Sequence, residues 1–502
     1  MKLRPTTHQD AIQATAASDA LLDQIFSPGL AEAIKQAPGR GRHRIIITAL
    51  LPNVATLLNR DLAGMAKQIP FGDAVRERTS SQWFKARTRD LVYGGASLST
   101  IASVHGLGRS IRSRHIFPVL VKARLLKSIG DAAGAWSQAL SDLFVAEKPE
   151  AESNAGAADG AAAAEASAPG KPDEPKAAGK KAVKSRSEVK RDQGIEEHGE
   201  GFLSQPIVLG DREIDVVAQI AETMHGKGIK PEELRTVIAE AGKSEKSFTG
   251  KYGERLGDAT KLVYSAVASL RATGTWAGID AVLYGRFITS DLVTRLDPAV
   301  HVAHGIGVIA LAKAIDFFSV RDQIVEDGGT AHINNTEVTT SLRHQHLVID
   351  LDQMWTNLGP SAAADAIADL VCWLVGVTAG GVPGAKLGGT APYQAAEGMV
   401  VEIGRHTPRS HVGAFVTALQ PKRGENLYQI ARERLAAYIA EKDAEHGAPE
   451  RRFATACMPL EDAQKGSVAE ICAALRAWIM TEWVSPDDRA AAAASVAESA
   501  AE

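Results

Sequence analysis

The sequence predicts an α+β fold, a compact mixed core with peripheral helices. Three observations predict it. Apolar, β-prone runs at 44–51 and 399–403 alternate along the chain with long helical patterns at 361–377 and 427–442. A block rich in helical patterns separates the first strand from the later ones, and no repeat occurs at solenoid periods. The 502 residues, 45% hydrophobic and 23% charged, suffice for two or three domains with substantial cores.

Taken in order, residues 1–38 read as two helices broken at Ser27-Pro28-Gly29. Residues 43–52 form a strand, and 80–145 are mostly helical around a loop at Gly94-Gly95. From about 147 to 200, Ala, Gly, Pro, Glu, Lys and Ser dominate and aromatic residues are absent. Such a composition cannot bury enough apolar surface to offset its ordering entropy, so the segment is expected to be disordered. Helices are expected at 214–224, 231–241 and 259–272, and a strand at 281–287. A short apolar patch surrounds His301 and His304. Residues 317–320 look extended, 333–341 form a polar, turn-rich excursion, and 343–351 return as a strand. Helices follow at 361–377, 427–442 and 468–483, with a loop at 382–386, a strand at 399–403 and an Ala-rich tail.

The most informative stretch follows the first strand: Asn59-Arg60-Asp61, then Phe71-Gly72, then Thr79-Ser80-Ser81-Gln82-Trp83-Phe84-Lys85. A strand leads through a polar turn into a helix that starts with hydroxyl residues and soon carries cations. Free N–H groups at a helix start, capping hydroxyls and nearby Lys or Arg together suit a phosphate. Gln82, Lys85 and Arg89 stand at i, i+3 and i+7 and share a face. The charge distribution agrees. The chain is −4 as a whole, yet residues 39–125 hold fifteen Lys/Arg against four acids, a local net of +11. A basic block within a mildly acidic protein is the electrostatic footprint of a nucleic-acid partner.

Other classes fit less well. Cys372, Cys457 and Cys472 are too few and too irregularly spaced for a disulfide framework or zinc cluster and read as buried thiols of a reducing cytosol. No apolar leader and no uncharged run long enough to span a membrane is seen, so a cytoplasmic protein without membrane contact is expected. His301 and His304 at i, i+3, with His332, His344 and His346 nearby, invite a metal reading, but no acid completes a familiar site. The pair 301 and 304 is expected in a packed, hydrogen-bonded environment. His344 and His346 share a strand face, where they can touch RNA or a neighbouring subunit. Gly380-Gly381-Val382-Pro383-Gly384-Ala385-Lys386 lacks the Gly-Lys-Ser/Thr ending of a nucleotide-binding loop. No cofactor is expected.

In order and spacing, the first strand, Asn59-Arg60-Asp61, Phe71-Gly72, Ser80-Ser81-Gln82 and Lys85 resemble the start of the CasC family. CasC is the guide-RNA-binding backbone subunit of the type I-E CRISPR Cascade surveillance complex, within the RAMP superfamily. Later blocks agree: Gly278 to Phe287 with its Gly285-Arg286 pair, Ala299 to Ile306, Asp316 to Asp322, Ala331-His332-Ile333, Thr336-Glu337-Val338, Ile349 to Gln353, and Val382 to Lys386. Four features depart from the family pattern: about forty residues precede the first strand, the 147–200 insert sits inside the finger region, Leu62 replaces the usual second acid after Asn-Arg-Asp, and the thumb is richer in His and Asn than the aromatic-bearing versions.

The resemblance implies an RRM-like (ferredoxin-like) palm with a helical finger insertion and an extended β-hairpin thumb. The chain then divides into a helical extension (1–40), palm (41–93), fingers (94–146), disordered insert (147–201), fingers (202–275), palm (276–325), thumb (326–352), palm completion with C-terminal helices (353–485) and a disordered tail (486–502). The implied partners are crRNA, target DNA paired through the guide, further copies of the chain, and other Cascade subunits. RNA contacts are implied at Asn59, Arg60, Ser80, Ser81, Gln82, Lys85, Arg89, Arg112, Arg114, Arg286, Thr336, Val338 and Lys386. No catalytic activity is implied. The alternatives are a stand-alone RNA-binding protein, or a related backbone subunit that cleaves RNA with metal through a thumb-loop acid, for which Asp327 is the local candidate.

Overall fold

Ile45, Ile46, Ile47, Ala49, Leu50 and Leu51 are all buried, on both faces of one strand, β1 (Arg44–Thr56). A strand buried on both faces lies inside a sheet that carries a layer on each side. The computed structural model shows that arrangement. It describes residues 43–144, 203, 206–272, 275–288, 290, 292–321, 330–359, 364–384, 387–405 and 408–483. The expectations for the N-terminal helices, the 147–201 insert, the tail from 486, Asp327 and Lys386 lie outside those residues.

The later strands are β2 (Gln68–Phe71), β3 (Ala74–Thr79), β4 (Val92–Tyr93), β5 (Ala96–Ser97), β6 (Ser110–Ser113), β7 (Ile207–Gly210), β8 (Val300–Val302), β9 (Gly305–Gly307), β10 (Ala312–Arg321), β11 (Thr330–Asp350), β12 (Gly398–Gly404), β13 (Arg451–Thr455) and β14 (Gln464–Gly466). Ten form one sheet in the order β14-β13-β12-β1-β11-β9-β3-β2, with β8 and β10 also on β11. Every pairing in it is antiparallel except β13 with β14. β4 pairs with β5, and β6 with β7, in two small separate ladders.

The helices are α1 (Ser81–Thr88), α2 (Leu98–Val104), α3 (Lys122–Ile129), α4 (Ala133–Asp142), α5 (Asp211–Gly226), α6 (Leu234–Ala241), α7 (Glu245–Leu256), α8 (Ala259–Ala272), α9 (Ile279–Tyr284), α10 (Leu351–Leu358), α11 (Ala364–Ala379), α12 (Leu387–Thr390), α13 (Leu427–His446) and α14 (Val468–Trp478). On one face of the sheet, Ile45, Ile47, Leu347 and Val401 pack with Leu370 and Leu374 of α11 and Leu475 of α14. On the other, Leu50, Leu342 and Val400 pack with Phe415 and with Leu435 and Ile439 of α13. A separate helical core gathers Phe117, Trp136, Val217, Phe248 and Val267. Phe144 and Leu203 are both buried in that core.

Three expectations are corrected. The run 281–287, expected as a strand, belongs mostly to α9. All six residues of that helix are buried, and a short apolar run gives no period by which helix and strand can be told apart. Gly285 ends it at φ 76, where a Cβ would meet the Pro298 nitrogen at 2.8 Å; this is why a glycine precedes Arg286. Arg286 itself is interior. Its Nη1 donates to Glu213 Oε2 at 2.6 Å, both side chains are 0% exposed, and its other nitrogens donate to the Thr294 carbonyl. It has no surface to offer RNA.

Second, 299–306 forms β8 and β9, and His301 and His304 are exposed rather than packed. His344 and His346 do share a face, but it is the buried one. Their rings stack 6.4 Å apart, with Thr48, His411 and Phe415 around them, so RNA cannot reach them.

Third, residues 333–341 form no turn. They run in the middle of β11, paired with β10 in the register Asp316↔Thr336 and Ala314↔Val338. The hairpin therefore begins at Ala312, and its strands are joined through 322–329, outside the described residues. Alternating polar and apolar residues such as Thr336, Glu337 and Val338 suit a two-sided strand as well as a loop, which is why the composition misled.

Two outcomes follow from these buried polar groups. Burial holds His344 well below its ordinary value of 6.5 and His346 at about 4, with repulsion from His411 adding to both. Both rings are neutral in the folded protein, whereas the unfolded chain takes up their protons below 6.5. Stability should therefore fall as pH drops from about 6.5 towards 4, by roughly 3 kcal/mol for His346 alone. His346→Asn, which keeps a polar atom near Thr48, should flatten the dependence of melting temperature on pH in that window. Separately, Arg286→Ala leaves Glu213 as a lone buried carboxylate. It should lower the denaturation midpoint of the helical unit by the equivalent of about 3–5 kcal/mol, read by urea titration.

Candidate nucleic-acid interface

After β1 the backbone makes a closed polar turn. Asp61 Oδ1 accepts from the N–H groups of Ala63 at 2.9 Å and Met65 at 3.0 Å, and Lys67 N–H donates to the Asn59 carbonyl at 2.8 Å. Asp61 thus builds the turn, as short acidic side chains do. Asn59 Oδ1 accepts from Ser80 N–H at 3.0 Å, and Ser80 Oγ accepts from Trp83 N–H at 3.2 Å as the N-cap of α1. Asn59 and Ser80 are therefore engaged in fixing the turn against the helix start. Arg60 and Gln82 are exposed and Ser81 half-exposed beside them. Between turn and helix lies an open groove of about 510 Å³, lined by Asn59, Arg60, Asp61, Leu62, Trp83 and Arg87 among others.

The far end of α1 holds the charge. Lys85 Nζ and Arg89 Cζ lie 5.7 and 5.4 Å from the ring centroid of Tyr284 in α9. The Tyr284 hydroxyl sits 2.8 Å from the Thr88 hydroxyl, and burial pushes its pKa up to about 12. Beneath them the carboxylate of Asp280, 3% exposed, faces Arg89 at 3.3 Å. It also accepts two bonds from Arg109, at 2.8 and 3.0 Å, and one from Ser110 N–H. One buried acid therefore orients two guanidinium groups. Arg112, exposed on β6, completes the cluster.

The cations are mutually repulsive. Burial lowers the Lys85 pKa, and Arg89 and Arg112 lower it further. Arg112 is lowered by burial and then by Arg89. Among the described residues no carboxylate forms an ion pair with Lys85 or Arg112. Like charges held together at a surface are relieved by a bound anion, and a backbone phosphate has the matching charge and size.

The expected residues thus separate. Lys85, Arg89 and Arg112 are brought together, and Arg60, Ser81 and Gln82 line the approach from the other end of α1. Arg114 is tied down, its Nε donating to the Leu203 carbonyl at 2.7 Å. Thr336 and Val338 lie on the β10–β11 hairpin, half-buried. Sequence reasoning missed Asp280, Tyr284, Trp83 and Arg109, which make the site rigid; only the tertiary crossing of α1, α9 and β6 unites them. It also missed the outer face of the hairpin. Ile315, Phe317 and Ile333 are 59%, 64% and 60% exposed, and the register puts them on one face with Lys313 and Glu337. The Phe317-Phe318 dipeptide was the available signal. At the hairpin base, Glu337 receives Ala66 N–H at 2.9 Å and pairs with Lys313 at 3.2 Å, locking the projection to the Asn59–Lys67 turn. Among the described residues no group of His, Cys, Asp and Glu is disposed to hold a metal ion, and no helix is long and apolar enough to cross a membrane.

This architecture has solved counterparts. A chain of a structure entitled "CRISPR RNA-guided surveillance complex, pre-nicking" is similar with a TM-score of 0.57 and 21% identity, over 86% of this chain and 99% of that one. A chain of a "CRISPR RNA-guided surveillance complex" is similar with a TM-score of 0.50 and 18% identity, over the same shares. At these identities the likeness speaks for the fold: mixed α and β with a large, mostly antiparallel sheet. Among curated proteins none matches. The family model described as CT1975-like protein matches residues 45–484, nearly the whole described chain, and the chain belongs to that family.

Proposed function

We propose that this chain is the crRNA-binding backbone subunit of a type I Cascade surveillance complex, of the type I-E, CasC kind. Copies of it line up along the guide and present it for pairing with target DNA. The observation that carries the reading is the cluster of Lys85, Arg89 and Arg112, organised by Asp280 and Tyr284 and left with surplus positive charge. It suits a sugar-phosphate backbone, which offers the same charge at every step whatever the bases. The titles of the similar structures name RNA-guided surveillance complexes, and the RAMP-type palm implied by the sequence motifs fits the same role. Continuing from β11 in the middle of the sheet, the β10–β11 hairpin offers the thumb by which one copy reaches the RNA of the next. Its exposed Ile315 and Phe317 are suited to contact bases, since every base has an apolar face. In this reading the protein binds and does not catalyse; other Cascade subunits and target DNA complete the assembly.

Lys85→Ala and Arg112→Ala should each weaken binding to single-stranded RNA of any sequence. Each should flatten the dependence of log affinity on log salt by about 0.7. Fluorescence polarisation with two unrelated RNAs across a salt series reads both quantities. A loss confined to one sequence with an unchanged slope would count against backbone binding. For the hairpin, residues 316–336 are replaced by a two-residue turn joining the paired Ile315 and Glu337. The monomer should fold, because Glu337 keeps Lys313 and Ala66, but ordered assembly on long RNA should be lost in negative-stain images. Persistent regular assemblies would show that the hairpin is not the link between copies.

A further inference from the structure

Away from the cationic cluster, α11 and α14 cross on the sheet face and meet at two cysteines 100 positions apart. Cys372 Sγ lies 3.3 Å from the carbonyl oxygen of Cys472, and Cys472 Sγ lies 3.6 Å from the carbonyl oxygen of Cys372. A reciprocal contact of this kind requires the two backbones to face each other at the crossing, each thiol beside the other's peptide. It places the two cysteines side by side at the crossing, the neighbourhood a disulfide requires.

The pair has an entrance. An apolar cavity of about 250 Å³, lined by Tyr93, Ile101, Val104, Asp369, Cys372 and Trp373, opens onto Cys372, while Cys472 lies buried behind it. The third cysteine, Cys457, is exposed and has its sulfur against the Glu397 carbonyl and the Thr455 hydroxyl, so it is an internal control.

We propose that Cys372 and Cys472 form a reversible oxidation site, at which a small peroxide entering by the Tyr93–Trp373 cavity joins them in a disulfide that staples α11 to α14. In the first step the Cys372 sulfur attacks one peroxide oxygen. The S–O bond forms, the O–O bond breaks, and the departing oxygen leaves as water with the thiol proton. In the second, the Cys472 sulfur attacks Cys372, the S–S bond forms, and the hydroxyl leaves as a second water with the Cys472 proton. Peroxide is reduced by two electrons and the two thiols are oxidised by two. Cys372 lines the cavity and so meets the peroxide first, and Cys472, buried beside it, is the resolving thiol.

The staple would fix more than two helices. Tyr93 packs directly on Gly376 of α11, leaving no space for a Cβ there. Asp369, one turn from Cys372, binds both His105 after α2 and Arg476 of α14. Cross-linking this junction closes a long loop and should raise the melting temperature.

The purified full-length protein is treated with hydrogen peroxide, then unfolded in excess N-ethylmaleimide and mapped by mass spectrometry. The expected result is a peptide pair joined through Cys372 and Cys472, two hydrogens lighter than the thiol forms. A single adduct, on Cys457, should accompany it, together with a melting temperature several degrees higher. Dithiothreitol should reverse all three changes, and Cys457→Ser should leave the cross-link intact. Three maleimide adducts after peroxide, a cross-link that requires Cys457, or only irreversible over-oxidation of Cys372 would each overturn the proposal.

Discussion

The pairing of β1 with β11 is the constraint on which the rest depends. It runs from Arg44↔Asp350 to Thr56↔Thr339, with one irregularity between Asn53 and Thr56. Because β1 and the inner half of β11 are buried on both faces, neither can slip by a residue without moving every apolar side chain to the wrong layer. That register fixes the end of β1 and hence the Asn59–Asp61 turn that positions α1. It also fixes where β11 emerges from the core and so the base of the hairpin. The irregularity falls where pairing passes from buried core to projecting hairpin, a place where a strand pair often bends. The phosphate-shaped cluster and the projecting hairpin are thus two consequences of one strand pair.

Charge within the protein divides into two kinds. Arg76, Arg286 and Arg452 are interior, each held by a carboxylate: Asp73, Glu213 and Glu402 respectively. Arg343 lies buried under Trp83, donating to the Thr79 hydroxyl, with Glu77 opposing the effect of burial on its charge. Such groups must stay paired, since an orphaned buried charge costs several kcal/mol. Lys85 and Arg112 lie near the surface, with repulsive neighbours in place of partners. The net of +11 counted along 39–125 mixes the two kinds, so it overstates the footprint open to a ligand. What matters is the smaller set of cations that the fold leaves uncompensated.

The parts legible in the sequence are those whose determinants are local. The first strand, the helix starting at Ser80-Ser81, and α5, α8, α11, α13 and α14 follow from period and capping, and the structure places them within a few residues. Three things were not local. The run at 281–287 is apolar throughout, so it carried no period. The hairpin strand through 333–341 has the polar composition of a turn because the side chains it buries, Glu337, Thr339 and Ser341, are themselves polar. Arg286 reads as a surface cation until the Glu213 carboxylate, 73 residues away, is brought against it. Likewise Lys85, Arg89 and Arg112 look like scattered charges on the chain. Asp280 and Tyr284, distant in sequence, turn them into a site.

The location of that site has a mechanical meaning. Lys85 stands on α1 and Arg89 at its C-cap, and the helix buries Trp83 and Phe84 in the sheet's own core. Arg112 stands on β6, whose ladder partner β7 runs straight into α5 of the helical unit. Asp280 reaches both sides, to Arg89 and to Arg109 and Ser110. Without an anion, repulsion among the cations opposes the approach that Asp280 enforces. A phosphate placed between them would offset that repulsion. On the proposed reading, a ligand at the cluster would be linked to docking of the helical unit on the sheet, because anything that binds the closed form alone stabilises it.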